Sequence, residues 1–177
     1  KPFSIRKNLE VKGSMLVVGN SILGQDNNDF NDMSQDNQDI SMQYIDIDGD
    51  ASTFSSSSAQ LILPTNPDGS SISCYSVAYA ALYWGAVLQS GNRNDIDKVK
   101  FKLPGSSDYI DITGEVVYDA IIDPIIAENN EPGNTPYAGY ADVTDLLVGL
   151  SDIEGTYTVA NVNSSQGLNH STGLSAG

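Results

Sequence analysis

The chain is poor in the residues on which most enzyme chemistry depends. Its 177 residues include one cysteine, Cys74, and one histidine, His170. A lone cysteine excludes an intramolecular disulfide. Within Ser73-Cys74-Tyr75-Ser76-Val77-Ala78-Tyr79 it reads as a small core residue. Zinc sites built on His and Cys fail on count. A serine or cysteine nucleophile needs a neighbouring base, and His170 sits in a polar tail. There is no glycine-rich phosphate loop of either standard type. No run reaches the roughly 18 apolar residues of a membrane span, so direct membrane insertion is not expected. Basic residues are also scarce: 8 against 23 acids, for a formal net charge of -15. Nucleic-acid phosphates repel such a polyanion, as do anionic membrane surfaces. Abundant acids do permit the paired carboxylates of glycoside cleavage, but they single out no position.

What is present suits one domain, since 40% hydrophobic content suffices for a sizeable core. The most informative stretch runs from Tyr44 to Phe54 and then through Ser55 to Ser58. Apolar and acidic residues alternate along Tyr44-Ile45-Asp46-Ile47-Asp48 and break at Asp48-Gly49, as in a half-buried strand entering a tight turn. Asp46, Asp48 and Asp50 supply hard oxygen ligands suited to calcium, which makes calcium the expected cofactor and these three its expected ligands. An EF-hand loop beginning at Asp46 would need glycine sixth and glutamate twelfth; Ala51 and Ser57 occupy those places, so any site is of another kind. The competing reading is a plain hairpin with an acidic outer face. The following Ser52 to Ser58 reads as a second strand's exposed face or an open loop.

Along the chain, Met15 to Leu23 is expected to form a first strand, and the Asn/Asp/Gln-rich segment 25–39 an exposed acidic loop. Strands are expected at Met42–Ile47 and Ala59–Leu63, with a turn through Pro64, Asn66, Pro67, Asp68 and Gly69. A long core strand is placed around Tyr75–Trp84, and others at Val99–Leu103, Tyr109–Ile112, Glu115–Ile122 and Gly155–Val162. Residues 127–139, with Pro132, Gly133 and Pro136, read as loop. Asp142–Gly149 is the best helix candidate, with an N-cap residue and a terminating glycine. The basic residues form two groups, Lys1, Arg6, Lys7 and Lys12, then Arg93, Lys98, Lys100 and Lys102, and read as solvated surface or a docking patch. Asn163 and Asn169 head glycosylation-like tripeptides that occur readily by chance in such tails. Many short strands and one short helix describe an all-β domain, a β-sandwich or jelly roll, over 15–177 after an N-terminal segment 1–14.

Three segments taken in order resemble a known group. They are Ile45-Asp46-Ile47-Asp48-Gly49-Asp50 with Ser52 to Pro64, Ala78-Tyr79-Ala80-Ala81-Leu82-Tyr83-Trp84-Gly85, and Tyr137 to Thr144 with Gly155 to Val162. Together they are similar to the N-terminal region of large surface proteins of gliding bacteria exported by the type 9 secretion route, including the gliding-motility adhesins. The resemblance implies a secreted, cell-surface, non-enzymatic adhesion module. Its partner would be a surface polysaccharide, a protein, or other subunits of the same assembly. It also implies a domain that continues past Gly177, with a strand edge left for the remainder or for a partner's strand. A structural domain of a surface filament is the alternative, and a glycoside hydrolase ranks after it.

Overall fold

The computed structural model describes residues 5–25, 41–72, 74–88, 93–122 and 135–167. Their elements are β1 (Leu23–Gly24), β2 (Gln43–Tyr44), β3 (Ser56–Leu61), β4 (Ala81–Val87), β5 (Lys98–Lys102), β6 (Ile110–Thr113) and β7 (Glu115–Asp119). A 3-10 turn at Ala120–Ile122, β8 (Pro136–Asp142), α1 (Thr144–Val148) and β9 (Gly155–Ala160) complete them. The protein is all-β. Its antiparallel strands form a four-stranded sheet ordered β3-β9-β5-β6, a three-stranded sheet ordered β4-β8-β7, and the pair β1-β2.

Period-two alternation builds the core. Val99 and Phe101 of β5 and Tyr157 of β9 turn inward from the larger sheet, and Trp84, Ala86, Tyr137 and Ala141 turn inward from the smaller one. All join one cluster with Leu147 of α1 and the fully buried Val162. Phe101 and Tyr157 stack with ring centroids 5.8 Å apart. The single tryptophan fixes the smaller sheet. Its indole N–H donates to the Ile96 carbonyl at 2.9 Å. The ring lies on Gly114 and Gly139, where an added Cβ would come well inside 3.0 Å of it. Glycine is therefore required in the middle of β8.

An internal ion pair ties down the end of this sheet. Asp119 of β7 receives Arg93 Nη2, and also Nε at 3.2 Å. Arg93 Nη1 donates to the carbonyls of Leu88 at 2.8 Å and Thr135 at 3.2 Å. Arg93 is thus a structural clamp, while Lys98, Lys100 and Lys102 pair with Asp95, Asp111 and Asp48.

Several expectations change. Of Met15–Leu23 only Leu23 is in a strand, and Met15 and Val17 are 86% and 81% exposed. The Asn20 side chain donates to the Ser58 carbonyl at 2.9 Å, so a side chain caps the outer edge of β3 where backbone pairing would have to begin. Asp46 bridges Ser56 in parallel, so Asp46–Ser56 is a doubled-back loop, not an antiparallel hairpin. Ser55, Ser56 and Ser57, expected at the surface, are buried.

The strand placed at Tyr75–Trp84 begins only at Ala81. Ahead of it Ala80 is held by the start of α1, giving its N–H to Thr144 Oγ1 and its carbonyl to the Val143 N–H, both at 3.0 Å. Cys74, outside any strand, is exposed and not a core residue. Pro136–Gly139, expected as loop, opens the central strand of the smaller sheet. Proline is compatible with the first residue of a strand. The helix forms where expected, but Gly149 ends it at φ -77, without the left-handed conformation that favours glycine. Most of segment 25–39, with Asn169 and His170, lies outside the described residues.

Candidate functional site

The acidic loop after β2 is built by its own carboxylates. Asp46 Oδ1 accepts from the Gly49 N–H at 3.2 Å and from Ser56 Oγ at 3.0 Å. Asp48 Oδ1 accepts from the Asp50 N–H at 3.1 Å, and Asp50 Oδ1 from the Ser52 N–H at 2.8 Å. These are Asx turns, each aspartate bonding backbone two or three residues on. Gly49, at φ +59, supplies the left-handed residue that the loop requires. Ser56 Oγ receives the N–H groups of Ile47 at 2.9 Å and Asp48 at 3.2 Å, which explains a buried serine at this place.

The three predicted ligands share the loop, but their carboxylates do not converge on one point. Asp48 leans toward the larger sheet, where the Tyr109 hydroxyl donates to its Oδ2 and Lys102 Nζ lies 3.7 Å away. Burial works against its charge, but the bonds from Tyr109, the Asp50 N–H and Ser56 outweigh it and bring the carboxyl to about 2. Burial and the adjacent Asp48 charge push the Tyr109 hydroxyl upward. Asp50 is lowered chiefly by the Ser52 N–H. Among the described residues no three His, Cys, Asp or Glu side chains are grouped to hold a metal ion.

A second feature lies on the solvent face of the smaller sheet. Inward residues of β8 are Tyr137, Gly139 and Ala141, so Pro136, Ala138, Tyr140 and Asp142 face out. The register sets Tyr83 and Glu115 on either side of Tyr140, and Gly85 and Tyr118 on either side of Ala138. Cross-strand partners share a face. Two rows result: Tyr83-Tyr140-Glu115, then Gly85-Ala138-Tyr118. The β7 ladder shifts between Val116 and Tyr118, and this bulge returns Tyr118 to the outer side.

Tyr83 is 61% exposed and Tyr118 38%. Beside Tyr118 the second row carries only Gly85 and Ala138, a shallow trough flanked by the Tyr83 and Tyr140 rings of the first row. Tyr83 and Tyr140 pack at 5.1 Å between centroids, and the hydroxyls of Tyr140 and Tyr79 share a 2.8 Å hydrogen bond. Burial, then that hydrogen bond, pushes the Tyr79 hydroxyl upward, so it stays a neutral donor at physiological pH. The N-terminal segment crosses one end of the face. The Arg6 guanidinium lies 3.9 Å over the Tyr140 ring and 3.3 Å from Glu115, and the Lys7 ammonium lies 5.4 Å from the Tyr79 ring centre.

An open groove of about 360 Å³ separates β6 from the turn into α1 and carries Asp111, Asp142 and Asp145. Asp111 pairs with Lys100 at 2.8 Å. Asp142 is lowered, first by Thr144 Oγ1 and then by the Thr144 N–H. It is held ionised, opposite to what a general acid needs.

Sequence reasoning passed over Tyr83, Tyr118 and Tyr140. The signal was the alternation Leu82-Tyr83-Trp84-Gly85-Ala86, readable only once Trp84 is assigned to the core.

These features define the class, an all-β domain with an aromatic solvent face and a self-closed acidic loop. Comparison with protein-family models, with characterised proteins and with solved structures found no match.

Proposed function

We propose that this chain is a non-enzymatic cell-surface adhesion module, the N-terminal part of a larger secreted protein of gliding bacteria, and that it adheres through the outer face of β4, β8 and β7. The sequence resemblance to type 9-secreted adhesins motivates the cellular setting. One observation carries the choice of surface. A solvent-facing sheet position ordinarily carries a polar or charged residue, yet here Tyr83 and Tyr118 are presented to water around a floor of Gly85 and Ala138. Side chains of both larger sheets share one core, which supports the sandwich reading. Calcium at Asp46, Asp48 and Asp50 is separable from this proposal, because the tyrosine face does not depend on that loop.

The test is retention under flow. Beads carrying the chain are passed over surfaces coated with bacterial exopolysaccharide or with surface protein, beside beads carrying an inert protein. Adhesion requires retention above the inert control that falls with Tyr83→Ala and Tyr118→Ala. Equal retention of both bead types would refute it.

The filament-subunit alternative rests on a different observation, the exposed apolar run Met15-Leu16-Val17-Val18, a segment of strand-like composition with no ladder partner among the described residues. It requires concentration-dependent self-association in sedimentation experiments, which Val17→Lys would abolish.

A further inference from the structure

We infer that the ligand class of the tyrosine face is a neutral polysaccharide, laid across the trough between Tyr83 and Tyr118; the inference rests on the adhesion reading and narrows it. Size argues first. Strands of seven residues, at about 3.4 Å per residue and about 4.8 Å between strands, give a face of roughly 24 by 14 Å, or about 340 Å². A stable protein partner takes about 800 Å² from each side, more than twice that area. A few sugar rings are of the right dimension.

Chemistry argues next. A pyranose has an apolar C–H face and a rim of hydroxyls. Tyrosine rings offer an electron-rich face to the first, and phenolic hydroxyls to the second. Tyr83 and Tyr118 stand two strands and one row apart, about 12 Å on the diagonal, with the small Gly85 and Ala138 along one side of that line and Tyr140 along the other, so a chain reaching both rings runs over Gly85 and Ala138. Arg6 adds guanidinium N–H groups at the Tyr140 end.

Charge argues last. Arg6 is paired with Glu115 at 3.3 Å, and the field of Lys7 falls partly on Asp142, so the cations near the face lie close to acids. The chain as a whole, at -15, repels polyanions.

Native gels cast with laminarin, xylan or mannan, and with alginate as the anionic control, test the assignment. Retardation is expected from at least one neutral polysaccharide and not from alginate. Tyr83→Ala or Tyr118→Ala weakens it about tenfold, the loss of one ring contact, whereas Tyr83→Phe, which keeps the ring, stays close to the parent. Thermal melts establish that each variant is folded. Retardation by none of the neutral polymers, retardation by alginate alone, or full retardation of the Tyr83→Ala/Tyr118→Ala double variant overturns the inference. If beads adhere under flow while neutral gels do not retard the chain, the ligand class is wrong and adhesion survives. If neither occurs, both fall.

Discussion

Gly139→Ala tests whether the inward face of β8 is built as described, because one methyl group meets the only tryptophan. The new Cβ would come well inside 3.0 Å of three indole atoms of Trp84. The ring cannot tilt away freely, since its N–H is held by the Ile96 carbonyl at 2.9 Å. Nor can β8 retreat, being paired on both edges by β4 and β7. Overpacking of this kind costs about 1–3 kcal/mol, and loss of the buried indole hydrogen bond adds about 1 kcal/mol. A total of about 3 kcal/mol lowers the Tm of a chain this size by roughly 6–12 °C. The single tryptophan makes the assay direct, because its fluorescence reports the same contact whose strain the melt measures. A red-shifted emission together with the lowered Tm is expected. An unchanged Tm and spectrum would refute the packing of Trp84 on Gly139, and with it the inside-outside assignment that places Tyr140 at the surface.

Three further outcomes follow from buried charge. Arg93→Leu leaves the buried Asp119 carboxylate without its ion-pair partner, and a loss of about 3–5 kcal/mol in urea unfolding is expected; a loss under 1 kcal/mol would contradict the clamp. Asp48, held near 2 in the fold against about 3.9 unfolded, stabilises the protein above pH about 4 and loses that contribution as pH falls toward 2. Discounted for partial solvation, this amounts to about 1–2 kcal/mol. Asp48→Asn should therefore melt lower than the parent at pH 6 and together with it near pH 2, and a gap that persists at pH 2 would contradict the assignment. In calcium and in chelator, Asp48→Ala should lose stability equally, because its partners Tyr109, Lys102 and the Asp50 N–H belong to the protein. A loss confined to calcium would instead establish metal ligation by the loop.

The all-β class, the strand Lys98–Lys102, the strands flanking Gly114 and the helix at Thr144 were legible because each shows its own period within a few residues. Val99-Lys100-Phe101-Lys102 needs no knowledge of its neighbours. The misplacements share a different cause. β8 contains Pro136, Ala138 and Gly139, poor strand formers in isolation, and is a strand through its pairing with β4 and β7, with Gly139 where the Trp84 ring leaves no room for a Cβ. Ser55 to Ser57 read as polar surface, yet Ser56 is buried because its hydroxyl serves the turn made by Asp46 and Asp48. Conversely, Met15 to Val18 has strand composition, but Asn20 already occupies the Ser58 carbonyl on the nearest edge.

The candidate site inherits this dependence. Local reading fixed on Asp46, Asp48 and Asp50, whose pattern is visible in sequence and whose hydrogen bonds prove to be internal to the loop or directed at the adjacent sheet. The tyrosines on the outer face carry no such local mark: Tyr83, Tyr118 and Tyr140 come from three strands and become neighbours only through the β4-β8-β7 register and the bulge at Val117. The same glycine that admits Trp84 on the inside therefore fixes, one residue later, which side of β8 presents Tyr140. A substitution that disturbs Gly139 should weaken polysaccharide retardation as well as stability, whereas Tyr83→Ala should weaken retardation alone.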